Sequence, residues 1–287
     1  MINISEIVDI VSRNVGDGTK VRAVRCDKGN GVIKESIGLK PVDSKVEAVI
    51  YLDFATDDMS SSYIAARVLK AFHDGLREDF DRIPSVEFIR DYEQAKERLY
   101  IRLSSCPSDS LVKAVAFCDL YMTAYIKLAD RCDEGIISVT KDIISAWGID
   151  EETLFRDALA NARKKERILS KSLIETIFEA CPFPGMMPGE DALLSSIMVL
   201  TNEERINGAS AIMLCSDLPD EFYLIPSSRH EVMVVPADLL DDASALVGLV
   251  HFVNSTEVEQ EDILSDNVYH YVNGGFSVVD GAQEALA

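Results

Sequence analysis

Residues 118–129, CDLYMTAYIKLA, place Leu120, Met122, Ala124, Ile126 and Leu128 on one face of an extended strand and Tyr121, Thr123 and Tyr125 on the other. An alternation of this length predicts a half-buried sheet surface and ties the fold to at least one sheet with a core behind it. Other strand signals share its character. KVRAVRCDKGNGVIKESIGLKP carries β-branched residues on both sides of DKGNG, where Gly29, Asn30 and Gly31 readily take the positive φ angles of a hairpin turn. EAVIYLDF, RLYIRL, SIMVLTN, FYLIP and EVMVVP read as further strands, with NGASAIML a short segment between the last three.

Helical spacing lies between them. Ile4, Ile7, Val8 and Val11 mark a short amphipathic helix over residues 2–14. Ser60, Ser61 and Ser62 offer N-caps to a second helix, with Ile64, Val68, Phe72 and Leu76 at successive turns. Residues 85–97 also look helical, and GIISVTKDIISAWGIDEETLFRDALANARKK reads as a strand running into a helix that Gly148 ends. A further helix follows, capped by Asp150, with Glu151 and Glu152 in its first turn. Trp147 is assigned to packing this helix pair, and a last amphipathic helix spans 238–253. Helices mixed with hairpins, without regular βαβ alternation, predict an α+β fold of antiparallel hairpins and mixed sheet packed with amphipathic helices. No internal repeat or low-complexity tract interrupts it. CPFPGMMPGED, residues 181–191, is rich in proline and glycine and reads as a linker or long loop. It separates an α+β region over 1–181 from an acidic α+β region over 190–287, unless the two form one continuous domain.

Charge narrows the function classes. The chain has 28 basic and 49 acidic side chains, a net of −21, and residues 203–287 hold 16 acids against Arg205 and Arg229 alone. Such a field opposes direct binding to nucleic acid or anionic membranes, which depends on Lys and Arg. It suits solubility, a basic partner, or imitation of nucleic acid. The N-terminus lacks a basic start followed by an apolar run, and no apolar stretch approaches the roughly 20 residues of a membrane span. Six cysteines without a C-x-x-C pair suggest neither zinc nor a disulfide framework, but free thiols in a reducing cytoplasm.

Two stretches could carry chemistry. In PSSRHEV, Ser228 and His230 share one side of a strand while Glu231 points away, so a Ser–His dyad is conceivable. A nucleophile also needs a strained elbow and an oxyanion hole, and turn capping suits these serines equally well. His73, His251 and His270 show no metal-ligand spacing, DKGNG lacks the carboxylates of a calcium loop, and there is no glycine-rich or Walker nucleotide motif. No cofactor is expected. In TEVEQEDILSD, the acids Glu257, Glu259, Glu261, Asp262 and Asp266 would either occupy the first turn of a helix or form a docking surface.

IMVLTNEERINGASAIML, FYLIPSSRHEVMVVP and VNSTEVEQEDILSDNVYHY, with the earlier DKGNGV, VIYLDF, CDLYMTAYI and SAWGIDEETLFRDALANA, resemble an uncharacterised domain-of-unknown-function family found mainly in gut Firmicutes. Arg229 stands where an apolar residue is more usual, and LCSDLPDE is shorter than the family's linking helix. A fainter likeness extends to the YtpQ-type family of Bacillus relatives. The resemblance implies the α+β fold, a bacterial cytoplasmic setting and a family role for Ser-Ser-x-His-Glu, but transfers no activity. The leading expectation is therefore a non-enzymatic protein, of bacterial or phage-associated origin. It would bind a basic or nucleic-acid-binding protein through its acidic last third, possible roles being inhibitor or nucleic-acid mimic. The alternatives are a hydrolase or small-molecule-binding protein with a site near Ser228 and His230, and an oligomer subunit completed through a hairpin edge.

Overall fold

The computed structural model describes residues 2–16, 18–29, 31–42, 47–78, 86–129, 135–180, 192–226 and 228–280. Two compact units divide the chain, residues 1–84 and 85–287.

In the first unit, α1 (Ile4–Asn14) precedes the antiparallel sheet β1 (Lys20–Gly29), β2 (Val32–Lys40) and β3 (Ala48–Tyr51), and α2 (Ser61–Glu78) follows. Asn3 Oδ1 caps α1 by accepting the Glu6 N–H at 3.2 Å. Of the serines offered as caps for α2, Ser60 does it, its hydroxyl accepting the Tyr63 N–H at 3.2 Å. The apolar spacing of both helices then does what it predicts: Ile7, Val11, Ile64, Val68 and Phe72 bury against Ile37 and Leu39 of β2. Gly31, at φ +76°, supplies the left-handed turn between β1 and β2; Asn30 lies outside the described residues.

The second unit opens with two short 3-10 turns, Glu87–Arg90 and Lys96–Arg98, around α3 (Tyr92–Ala95), a broken version of the single helix expected over 85–97. Asp91 breaks it: extended at ψ 114°, it ends the first turn and caps α3 by accepting from Glu93 N–H. β4 (Leu99–Ser104), β5 (Lys113–Phe117), β6 (Leu120–Lys127) and β7 (Ile136–Ser138) form one sheet, in which β6 pairs with each of the other three. This placement changes the reading of CDLYMTAYIKLA. Every residue from Met122 to Lys127 is buried, so the strand is covered on both faces rather than one. Leu120, Met122, Ala124 and Ile126 face apolar clusters, while Tyr125 stacks on Tyr100 with ring centroids 5.8 Å apart.

α4 (Lys141–Trp147) ends at Gly148, φ +68°, and α5 (Glu151–Lys165) starts from Asp150, whose Oδ1 accepts the Thr153 N–H at 2.8 Å. Trp147 donates from Nε1 to the Ile89 carbonyl at 2.6 Å and lies against Tyr92, so it ties α4 to the opening turns. Next come β8 (Ile168–Ser172), α6 (Leu173–Ala180), α7 (Ala192–Ser196), β9 (Met198–Asn202) and a 3-10 turn over Gly208–Met213. β10 (Glu221–Ile225), β11 (Val232–Pro236), α8 (Ser244–Thr256), β12 (Tyr269–Val272) and β13 (Gly275–Val278) complete the unit. Its second sheet runs β13-β12-β10-β11-β9-β8, and every pair among the described strands of the chain is antiparallel. The fold is α+β. The proline-rich stretch 181–191 lies outside the described residues, and β8 and β9, before and after it, are partners in one sheet.

Candidate functional site

PSSRHEV connects β10 to β11, and its backbone is held from two directions. The Pro226 carbonyl accepts the Ser265 N–H at 3.1 Å, Arg229 N–H donates to the Asp262 carbonyl at 2.8 Å, and Ser228 bridges to Ile263. From the other side, the Arg229 carbonyl accepts the Ala209 N–H at 3.1 Å and the His230 carbonyl accepts the Thr201 hydroxyl at 2.7 Å. The 3-10 turn approaches so closely that a Cβ on Gly208 would lie 2.4 Å from the His230 carbonyl oxygen and 2.3 Å from Thr201 Oγ1. Only glycine fits there without a shift.

Side chains complete the clamp. Arg229 Nη2 lies 2.7 Å from Asp262 Oδ1, and His230 Nε2 lies 3.2 Å from the same oxygen. His230 Nδ1 accepts the Asn207 N–H at 3.4 Å, and its Nε2 lies 3.5 Å from Arg229 Nε, which donates to it. Ser228 Oγ accepts the His230 backbone N–H at 3.0 Å. Thus Ser228 caps a turn, both imidazole nitrogens are engaged elsewhere, and no hydrogen bond links the Ser228 hydroxyl to the His230 ring. The structure does not assemble the Ser–His dyad. Glu231 is half-buried and no hydrogen bond joins it to this cluster among the described residues.

The acidic run therefore divides. Asp262 is spent on Arg229 and His230, the two functional stretches being parts of one clamp, and Glu261 beside it is half-buried. Asp266 is exposed and accepts from Asn254 Nδ2 at 2.8 Å. Glu257 and Glu259 are exposed. None of these acids opens a helix, because the run follows α8: Glu257 is its C-cap, donating its N–H to the Val253 carbonyl at 2.8 Å. The helix itself starts later than 238, since Asp242 accepts from both the N–H and the hydroxyl of Ser244, at 2.9 and 2.8 Å.

α8 carries the most unusual surface of this region. Val250 and Asn254 are buried beneath it, with Leu246 and Val247 packed alongside. On the other side, Ala245, Leu249, Phe252 and Thr256 recur at three- and four-residue steps, and all four are exposed, Leu249 by 53% and Phe252 by 63%. A helix apolar on both sides normally lies inside a protein. SALVGLVHFVNST carries this second apolar side in its spacing, where an amphipathic helix with one apolar face is expected.

A family model matches residues 3–273, which span both compact units and every residue of the clamp and of α8. The chain belongs to DUF5688, a family of unknown function. The DUF5688 match ends in the turn between β12 and β13, so of the described strands β13 alone falls beyond it. No curated protein and no solved structure matches the chain.

Proposed function

We propose that this protein is a non-enzymatic docking protein of the bacterial cytoplasm, and that the outer side of α8 receives a basic, apolar helical segment of another protein. The observation that carries the reading is the exposed pair Leu249 and Phe252, on a helix bracketed by exposed carboxylates: Asp241 and Asp242 before it, Glu257 and Glu259 after it. Burying the two side chains would contribute about 1.5–3 kcal/mol each. The carboxylates select the partner. Lys and Arg around an apolar stripe meet them favourably, whereas a second copy of this chain or an anionic membrane brings like charge to the same surface. A nucleic-acid-binding protein offers that chemistry, so the inhibitor or mimic role is one form of the same proposal.

The test is fluorescence anisotropy with a labelled amphipathic Leu/Lys helical peptide, and a Leu/Glu peptide of the same pattern as control. Wild type should bind the first and not the second, and raising salt from about 0.05 to 0.5 M should weaken the complex as the Debye length shrinks. Phe252→Ser should weaken binding at least tenfold, equivalent to about 1.4 kcal/mol. Equal affinity of wild type and Phe252→Ser, or a salt-independent dimer seen by light scattering, would overturn the reading.

A further inference from the structure

A second feature of the chain lies away from α8, where the acidic balance reverses. Between the start of β4, the end of β6 and the end of α5 lies a cleft of about 300 Å³, lined by Glu97, Arg98, Tyr100, Lys127, Ala129 and Lys165. Three cations face one carboxylate there, in a chain of net charge −21. Its volume is that of a small-molecule site.

The interior of this region is unusual. Lys127, with a side chain 7% exposed, is 2.6 Å from Glu204 Oε1 and lies over the Tyr100 ring, 4.2 Å from the centroid. Glu166, next along from Lys165, contributes to the same electrostatic group: it accepts from Asn202 Nδ2 at 3.5 Å, and its other oxygen, Oε2, is buried without a hydrogen-bond partner. At the rim, Arg98 donates to the Leu128 carbonyl at 2.7 Å and Lys165 lies 3.2 Å from Glu97 Oε2. Both rim cations are exposed.

We propose that this cleft binds a small anion carrying a carboxylate or phosphate group, with Arg98 and Lys165 holding it at the rim and the Lys127 charge beneath it. Among the described residues, the charged groups that line the cleft or lie against Lys127 give the linkage, with Lys96 and Lys164 acting on Glu97 from outside that set. Arg98, Lys127 and Lys165 are positive; Glu97 and Glu204 are negative; Glu166 is neutral when protonated. The cluster then carries one excess positive charge, which a monoanion balances, and ionising Glu166 removes it. Burial pushes the Glu166 carboxyl up to about 7, Lys127 opposing that rise, so anion binding and proton uptake at Glu166 favour each other near neutrality.

The probes are propionate, which keeps a single charge from pH 6 to pH 8, and inorganic phosphate, each titrated into the full chain by NMR. Their relative affinities distinguish a carboxylate from a phosphate ligand. Saturable binding of either probe should weaken roughly threefold or more in Arg98→Gln and Lys165→Gln, and about tenfold in the double variant, with melting temperatures checking that each variant folds. Wild type should bind propionate more weakly at pH 8 than at pH 6, and Glu166→Gln should bind it equally at both. No saturable binding of either probe, a double variant that binds as wild type does, or a pH dependence unchanged in Glu166→Gln would overturn the assignment. None of these outcomes depends on α8.

Discussion

Asp262 shows how one side chain fixes a segment that sequence reading takes for chemistry. Its Oδ1 stands between Arg229 and His230, and its carbonyl accepts the Arg229 N–H, so it organises both the side chains and the backbone of PSSRHEV. Asp262→Ala should cost about 1–3 kcal/mol in urea unfolding, because the Arg229 guanidinium and the His230 ring lose a half-buried partner. Glu259→Gln, on an exposed neighbour, should change stability by less than about 0.5 kcal/mol. Gly208→Ala should cost about 1–3 kcal/mol by overpacking Thr201 and the His230 carbonyl. The stretch containing Ser228 and His230 stands out in the sequence, yet its partners do not. Asn207, Thr201 and Asp262 reach it only through the register of β9, β11 and the loop after α8, which spacing along a chain does not encode.

Elements were legible where local rules dominate. The caps Gly148 and Asp150 end α4 and begin α5 where their chemistry says they should, and the β1–β2 hairpin forms around its glycines. β6 was harder because its polar-looking face, Thr123, Tyr125 and Lys127, is covered by neighbours distant in sequence. α5 yields a prediction of its own, at its end. Glu166 has a folded pKa of about 7, above its usual 4.5, because burial disfavours the carboxylate. Between those two values the folded chain holds more protons than the unfolded one, so this group makes stability fall as pH rises through that window, and no further above it. The urea midpoint of wild type, compared with Glu166→Gln from pH 5 to pH 8, should show this extra fall in wild type alone. A parallel decline in both would assign the effect to other groups.

At the scale of the molecule, the α+β class was readable because strand and helix periods alternate without βαβ regularity. Which strands share a sheet was not, since β8 finds β9 across the whole 181–191 stretch. Each compact unit has its own apolar core, built in the first around Ile7, Ile37 and Val68 and in the second around two larger clusters. Trp147 is the single tryptophan and belongs to the second unit, anchored on Ile89. Its fluorescence should therefore report unfolding of residues 85–287, while far-UV circular dichroism reports both units. If the units unfold independently, the two urea curves should not coincide; coincident curves would mean one cooperative transition.

The strand order β13-β12-β10-β11-β9-β8 also has a consequence for biosynthesis. A ribosome delivers β8 and β9 early, but β11 closes on β9 only after residue 232, and β10 waits for β12 until residue 269. The first unit can form while the rest is still being translated, whereas the larger sheet carries an open, hydrogen-bonding edge through the synthesis of α8. Slowing elongation between those points should prolong the exposure of that edge and increase the demand for a chaperone.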